Sequence, residues 1–202
     1  LIFDECTSGF RECFGGIHKR YNVEPDLLML GKALGNGYPI TAVLGTKKIM
    51  ESINKTFISS TFWTDSSGPT AALKTIEIME KTKSWNYITK LGGYIKKNWN
   101  KLSKKHNLKI QISGINSLCK FNFMSNHNQK YKTFITQEML NKGILATNMI
   151  YVSLAHNKSV IKKYFKELDN IFFTISKCEN HKEDIFKYLI APVAETDFAR
   201  LN

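Results

Sequence analysis

The sequence contains little cysteine and no long apolar run. Its four cysteines are irregularly spaced: Cys6, Cys13, Cys119 and Cys178. They match neither the paired spacing of a zinc site nor a disulfide framework, which favours a reducing compartment. No window approaches the roughly 18 uninterrupted apolar residues of a membrane span. We therefore expect a cytoplasmic protein with no membrane partner.

Arginine is scarce, although the chain is basic. The net charge is +12 at pH 7, yet Arg11, Arg20 and Arg200 are the only arginines. Bidentate contacts to bases and phosphates favour arginine over lysine, and the lysines are spread through the second half of the chain. We therefore predict no nucleic-acid partner. The alternative, a lysine-rich nucleic-acid binder, predicts binding that weakens steeply with salt.

Metal-binding patterns are absent as well. The five histidines are scattered: His18, His106, His127, His156 and His181. No two of them stand four residues apart, the spacing that places two ligands on one helix face. We predict no metal site and interpret all five as surface or helix-capping residues.

The hydrophobic pattern indicates an α/β fold. With 202 residues and 43% hydrophobic content, the chain can bury a sizeable core as one domain or two small ones. We predict strands at residues 1–4, 26–31, 41–45, 108–112, 117–124 and 150–154. We predict helices at about 69–83, 85–107, 134–142 and 160–177, followed by a tail with partial helix at 185–190. The first three strands are apolar without alternation, which is typical of strands buried on both faces.

A carboxylate and a lysine follow two of these apolar runs. Asp4 ends the first run, and Lys32 follows the second, about one βαβ unit later. In such a unit both residues lie at the carboxyl ends of neighbouring parallel strands, where open α/β sheets bind ligands. A lysine and a carboxylate placed there suit pyridoxal phosphate: the lysine forms a Schiff base, and the acid pairs with the ring nitrogen.

Lys32 has two other interpretations. The Gly31-Lys32 pair resembles part of a phosphate-binding P-loop, but that motif requires a glycine five residues before Gly31 and Ser or Thr after the lysine. Asp26 and Ala33 stand at those positions. The remaining alternative is an exposed loop lysine without a catalytic role.

Three segments in order resemble the class III aminotransferases among the fold-type-I pyridoxal-phosphate enzymes. Residues 1–11 contain the D-E-x-x-x-G-F-R pattern, residues 30–39 contain L-G-K-x-x-G-x-G-x-P, and residues 59–72 contain a Ser/Thr-rich segment. The branch with glutamate-1-semialdehyde aminomutase is the most similar. The resemblance implies later strands of a large-domain sheet at residues 1–104, followed by a C-terminal small α/β domain with a tail at 105–202.

The resemblance also implies roles for individual residues. Lys32 would be the catalytic lysine that carries the cofactor, and Asp4 would keep its ring nitrogen protonated. Cys6 stands where the family usually has a valine packed on the ring. Thr61 and Ser60 would bind the cofactor phosphate of the neighbouring subunit. This implies a homodimer with a shared active site.

One further position departs from the family pattern. Thr7 stands where many members have glutamine. That change removes the side chain expected to bond the phenolic oxygen of the cofactor.

The resemblance implies an aminotransferase that acts on small-molecule amino donors and acceptors. A 2,1-aminomutase is the alternative within the family. In this family roughly the first half of the protein precedes the D-E pattern and holds a phosphate loop and a ring-stacking aromatic residue. We therefore expect this chain to be incomplete and inactive alone. An inactive fragment or pseudo-enzyme with only a structural role is the alternative from another class.

Overall fold

A computed structural model describes residues 1–181 and 183–195. The chain forms two compact units, Leu1–Thr89 and Lys90–Asn202. The division falls inside a helix, earlier than the predicted boundary at 104/105. The reason is the packing of the second half of that helix, where Trp99 is fully buried against Phe121, with ring centroids 4.8 Å apart. The assignment of the two parts as a cofactor domain and a small domain stays a prediction.

The N-terminal unit contains a three-stranded sheet in the order β1-β2-β3. Its strands are β1 (Ile2–Asp4), β2 (Leu27–Leu30) and β3 (Ala42–Gly45). Strands β1 and β2 are parallel, with Asp4 opposite Met29, and β3 pairs antiparallel with β2. The parallel pair confirms that the first two runs form neighbouring parallel strands. The connection between them contains a 3₁₀ helix at Ile17–Tyr21 in place of an α-helix.

Helices cover this sheet. The α-helices are α1 (Lys47–Ser52) and α2 (Ser67–Thr82), and short 3₁₀ helices lie at Ile17–Tyr21, Lys32–Leu34 and Ile53–Lys55. Pro69 stands in the first turn of α2, as predicted, because its ring needs no backbone N–H partner there. The core consists of apolar residues from the loops, the sheet and α2: Phe10, Leu30, Leu34, Ala72 and Met79.

One face of these strands is exposed in this chain, so their burial on both faces stays a prediction for the full-length protein. The side chains of Ile2, Val43 and Leu44 are 61%, 49% and 48% exposed. Only one set of strand residues, including Leu28, Leu30 and Ala42, packs into the core with α2. The two outer strands, β1 and β3, are paired along one edge only.

The C-terminal unit is a second α/β layer. Helix α3 (Ser84–Lys105) leads into it, and its remaining elements are β4 (Ile110–Ser113), β5 (Leu118–Phe123), α4 (Asn128–Asn141), β6 (Met149–Tyr151), α5 (Lys158–His181) and a 3₁₀ turn at Ile185–Lys187. Its sheet is antiparallel throughout, in the order β4-β5-β6. All six predicted strands and four main helices are present, with ends shifted by a few residues.

The core of this unit is rich in aromatic residues. Inward side chains of β5 alternate with half-buried ones, and Cys119, Phe121 and Phe123 face the core. The indole N–H of Trp99 donates to the hydroxyl of Tyr164 at 3.0 Å, which satisfies a polar group inside the core.

Among the described residues, no helix combines the length and apolar character needed to cross a membrane. Arg200 lies outside the described residues.

Candidate active site

Asp4 and Lys32 lie at the same edge of the N-terminal sheet. Asp4 is the last residue of β1, and Lys32 follows just after β2 ends at Leu30. Because β1 and β2 are parallel and in register, both residues leave the sheet at its carboxyl end. This is the position that the sequence predicted for them.

The backbone turns sharply at Lys32. Its φ is +44°, in the left-handed region, and the residue begins a short 3₁₀ helix that ends at Leu34. A Cβ on Gly35 would lie 2.3 Å from the carbonyl oxygen of Tyr38, so only glycine fits where the following turn closes. The turn leaves the Lys32 side chain exposed at the sheet edge.

The amine of Lys32 has a hydroxyl partner. Its Nζ donates to Oγ1 of Thr7 at 2.5 Å. Thr7 belongs to the loop that follows β1 and is half-buried. This contact cannot be predicted from the sequence, in which Thr7 is notable only as a departure from the family pattern.

The carboxylate of Asp4 is held in its charged form. Its Oδ1 accepts a hydrogen bond from the backbone N–H of Cys6 at 3.1 Å. That bond lowers the pKa of Asp4, and the charge of Lys32 acts in the same direction. Asp4 is therefore an exposed anion at neutral pH, with acceptor capacity left for a cationic partner.

Cys6 lies between these groups as a neutral thiol. Burial raises the pKa of Cys6, and its contact with Asp4 raises it further. A Cβ on Gly31 would lie 3.6 Å from Sγ of Cys6 and 3.3 Å from Cγ2 of Thr41, so glycine at 31 allows the loop and β3 to approach. The thiol thus serves as a small apolar surface beside Asp4. Its contact with a cofactor ring stays a prediction.

Glu5 is buried, unlike Asp4. Its carboxylate accepts hydrogen bonds from the backbone N–H groups of Ile17 and His18. It therefore anchors the far end of the loop that carries Cys6 and Thr7. These contacts are those of a structural residue.

The interpretation of all five histidines as surface or capping residues is wrong for His18. Its side chain is 5% exposed and packs beside Glu5. His106 is also largely buried, and its Nε2 lies 2.6 Å from Oδ1 of Asp169. His127 stands at the N-cap of α4, as expected, whereas the side chain of His181 lies outside the described residues.

In the part of the chain that the structure describes, no group of three or more His, Cys, Asp or Glu side chains is placed to hold a metal.

Ser60 and Thr61 belong to a different segment, and the hydrogen bonds described for Ser60 stay within that segment. Both are exposed in the segment that precedes α2. Oγ of Ser60 accepts from the backbone N–H of Phe62 at 3.3 Å, and the Ser60 carbonyl accepts from Trp63. The structure thus brings Asp4, Cys6 and Lys32 together, and the phosphate role of Ser60 and Thr61 stays a prediction.

Comparison with known proteins identifies the family of this chain. A family model described as aminotransferase class-III matches residues 1–173. The chain belongs to the class-III aminotransferase family. Membership of this family indicates pyridoxal phosphate as the cofactor.

Curated relatives include both transferases and mutases. A 3-aminobutyryl-CoA aminotransferase of Cloacimonas acidaminovorans is 36% identical over 138 residues, which cover 68% of this chain and 33% of that protein. A glutamate-1-semialdehyde 2,1-aminomutase of Syntrophomonas wolfei is 29% identical over 187 residues, which cover 84% of this chain and 43% of that protein. The chain therefore spans less than half the length of these relatives.

Solved structures share the fold. The FumI protein of Sphingopyxis sp. MTA144, with its pyridoxal phosphate, aligns with a TM-score of 0.81 at 23% identity, over 89% of this chain and 44% of that one. An omega-transaminase of Sphaerobacter thermophilus aligns with a TM-score of 0.76 at 19% identity, over 88% of this chain and 44% of that one. This confirms the predicted fold type I.

The residues at the sheet edge fit the family's cofactor chemically. An ionised carboxylate suits a protonated pyridine nitrogen, and a primary amine suits an aldehyde carbon. Asp4 supplies the first and Lys32 the second, at the ends of adjacent parallel strands.

Proposed function

We propose that the full-length protein carrying this chain is a class III aminotransferase that acts on small-molecule amino donors and acceptors. The observation that carries the proposal is the placement of the Asp4 carboxylate and the Lys32 amine at one edge of a parallel strand pair. Pyridoxal phosphate, when bound, supplies an electron-withdrawing ring that stabilises negative charge at the substrate α-carbon.

Lys32 has two tasks in this proposal. Its Nζ would hold the cofactor covalently and would be released when the amine of the substrate takes its place. The free Nζ would then serve as general base and acid, taking the proton from the substrate α-carbon and delivering it to the cofactor carbon that carries the substrate nitrogen. Its exposed position at the start of a tight turn supports both tasks, because the amine must be free to leave and return.

Asp4 would act on the nitrogen of the cofactor ring. A carboxylate beside the ring nitrogen favours its protonated form, which increases electron withdrawal. The backbone N–H of Cys6 keeps this carboxylate charged, as the lowered pKa of Asp4 indicates. Cys6 is proposed to pack on one face of the ring.

Thr61 and Ser60 are proposed to bind the cofactor phosphate of a partner subunit, so that the active enzyme is at least a homodimer. Their exposure in the segment before α2 supports this role, because a residue that serves a partner must lie at the surface. Thr61→Ala should remove a hydrogen bond to a charged group and so weaken the free energy of cofactor binding by about 1.5–3 kcal/mol. Thr64→Ala in the same exposed segment is the matched control. A fully active monomer in analytical ultracentrifugation would rule out the shared site.

A second candidate function is a 2,1-aminomutase. The observation that favours it is the similarity to glutamate-1-semialdehyde 2,1-aminomutases, such as that of Methanothrix thermoacetophila, at 31% identity over 81% of this chain. A mutase returns the amino group to the same carbon skeleton, whereas a transferase releases it to a second substrate. Incubation with glutamate-1-semialdehyde alone separates them, because a mutase converts it to its isomer without a second substrate, whereas a transferase needs an added donor or acceptor to turn over.

The experiment that tests the proposal uses the full-length protein with pyridoxal phosphate. A single-turnover assay with a panel of amino donors should show transfer of the amino group to the cofactor. Lys32→Ala should abolish the reaction, whereas Lys48→Ala, at an exposed position of α1, should leave it unchanged. Absence of any reaction in the wild type would favour the inactive, structural alternative, and full activity in Lys32→Ala would refute the role of that lysine.

A further inference from the structure

The hydroxyl of Thr7 is placed to control the position of the Lys32 amine. Oγ1 of Thr7 lies 2.5 Å from Nζ of Lys32, and this hydrogen bond joins the loop after β1 to the turn after β2. Thr7 is half-buried, whereas Lys32 is exposed. A flexible lysine side chain is thus held by a residue with little freedom of its own.

The backbone around Thr7 is fixed by its own hydrogen bonds. The carbonyl of Thr7 accepts from Nε of Arg11 at 3.3 Å, and the N–H of Gly9 donates to the carbonyl of Glu5 at 2.8 Å. Immediately before Thr7, the N–H of Cys6 donates to Asp4. The loop therefore presents the hydroxyl from a defined position.

The loop is also anchored at its far end. The buried carboxylate of Glu5 accepts from the backbone N–H of His18 at 3.0 Å, so both ends of the loop are tied to one side chain. A hydroxyl can accept from a charged amine and can donate to a neutral one. Thr7 can therefore keep its contact with Nζ in either protonation state.

We propose that Thr7 is a positioning residue that holds Nζ of Lys32 at the sheet edge whenever that amine is not bonded to the cofactor. This inference rests on the proposed role of Lys32. In the half-reaction, the released amine must wait near the substrate α-carbon and keep its orientation for proton transfer. The Thr7 hydroxyl restricts the amine to that region, and small displacements of a catalytic group lower rates strongly.

The first test needs no cofactor chemistry. Cofactor-free full-length protein is labelled with limiting acetic anhydride, and the rate at Lys32 is measured by peptide mass spectrometry. An amine that donates to a fixed oxygen must leave that bond to react, so Thr7→Val should raise the labelling rate about threefold or more. Thr7→Ser keeps the hydroxyl and should resemble the wild type. Equal rates in wild type and Thr7→Val would overturn the proposal.

The control variant is Thr82→Val. Thr82 is an exposed threonine of the same unit whose hydroxyl donates to the carbonyl of Ile78 within α2. It should leave the labelling rate at Lys32 unchanged. A threefold rise in this variant as well would show a general loosening of the unit and would count against a specific role of Thr7.

The second test uses the cofactor-loaded protein and an α-deuterated amino donor. Thr7→Val should lower the single-turnover rate about tenfold and enlarge the deuterium isotope effect, with little change in KM, because proton transfer becomes slower. Thr7→Ser should retain the wild-type rate and the wild-type isotope effect. Equal losses in the two variants would indicate a structural role and overturn the proposal.

Borohydride reduction distinguishes a wrong role of Thr7 from a wrong role of Lys32. Borohydride reduction of the loaded Thr7→Val variant should still label Lys32, because Thr7 positions the amine and does not form the bond. If wild type itself carries the label on another lysine, the proposed role of Lys32 is wrong, whatever the labelling rates in cofactor-free protein.

Discussion

Oε1 of Glu5 and Nδ1 of His18 lie 2.8 Å apart, and both side chains are at most 5% exposed. The same carboxylate also accepts two backbone N–H groups, from Ile17 and His18. The pair closes the loop that presents Cys6 and Thr7 to the sheet edge. A buried carboxylate with this many donors is stabilised only while all of them remain in place.

Glu5→Gln should destabilise the full-length protein by about 1–3 kcal/mol. The amide has only one acceptor oxygen, so its NH₂ group would face a backbone N–H that then loses its partner. Urea unfolding of wild type and variant at pH 7 measures the difference.

The matched control for this change is Glu51→Gln. Glu51 is exposed on α1, with Lys47 at 3.9 Å, so its loss should change the free energy of unfolding by less than about 0.5 kcal/mol. Equal effects of the two substitutions would show that the Glu5 contacts do not stabilise the fold.

Two adjacent glycines in α3 should respond oppositely to alanine. A Cβ on Gly92 would lie 1.8 Å from the carbonyl oxygen of Asn116, whereas a Cβ on Gly93 would only touch the Asn116 side chain at 3.5 Å. Gly92→Ala should therefore cost roughly 1–3 kcal/mol. Gly93→Ala should stabilise by up to about 1 kcal/mol, because alanine is the better helix former. Thermal unfolding measures the stability of both variants, and a Gly92→Ala variant as stable as the wild type would refute the close approach.

Asp169 should make the stability of the C-terminal unit depend on acid pH. Burial tends to raise the pKa of Asp169, but hydrogen bonds from Lys105 and His106 outweigh it, so the pKa is lowered. Its contribution is therefore complete above its ordinary value of about 3.9 and is lost as the pH falls through the lower, folded-state value. The difference in unfolding free energy between wild type and Asp169→Asn should be on the order of 1 kcal/mol at pH 6 and should shrink at pH 3.

Glu167→Gln is the control for that pH dependence. Glu167 lies on the same helix, α5, and the described residues offer it no ion pair. A wild-type advantage over Asp169→Asn that stays constant from pH 6 to pH 3 would contradict the lowered pKa of Asp169.

Asp4→Asn should separate folding from catalysis. Asp4 is exposed, so its amide should leave the unfolding midpoint nearly unchanged. The neutral amide cannot favour a protonated ring nitrogen, so the single-turnover rate should fall by about tenfold or more. Glu24→Gln, also exposed, should retain the wild-type rate. A wild-type rate in Asp4→Asn would remove Asp4 from the site.

The strand positions and the placement of Asp4 and Lys32 could be predicted because they follow from apolar runs and the parallel crossover. The contacts of Thr7 and His18 could not. Both depend on how the loop at residues 5–22 folds back on itself, and irregular loops carry no periodic signal.

The most direct test of the central claim is borohydride reduction of the full-length protein loaded with pyridoxal phosphate, followed by peptide mass spectrometry. We predict the pyridoxyl mass on the peptide containing Lys32, stoichiometric with bound cofactor, and its loss in Lys32→Arg. A stoichiometric label on any other lysine, with Lys32 unmodified, would contradict the assignment.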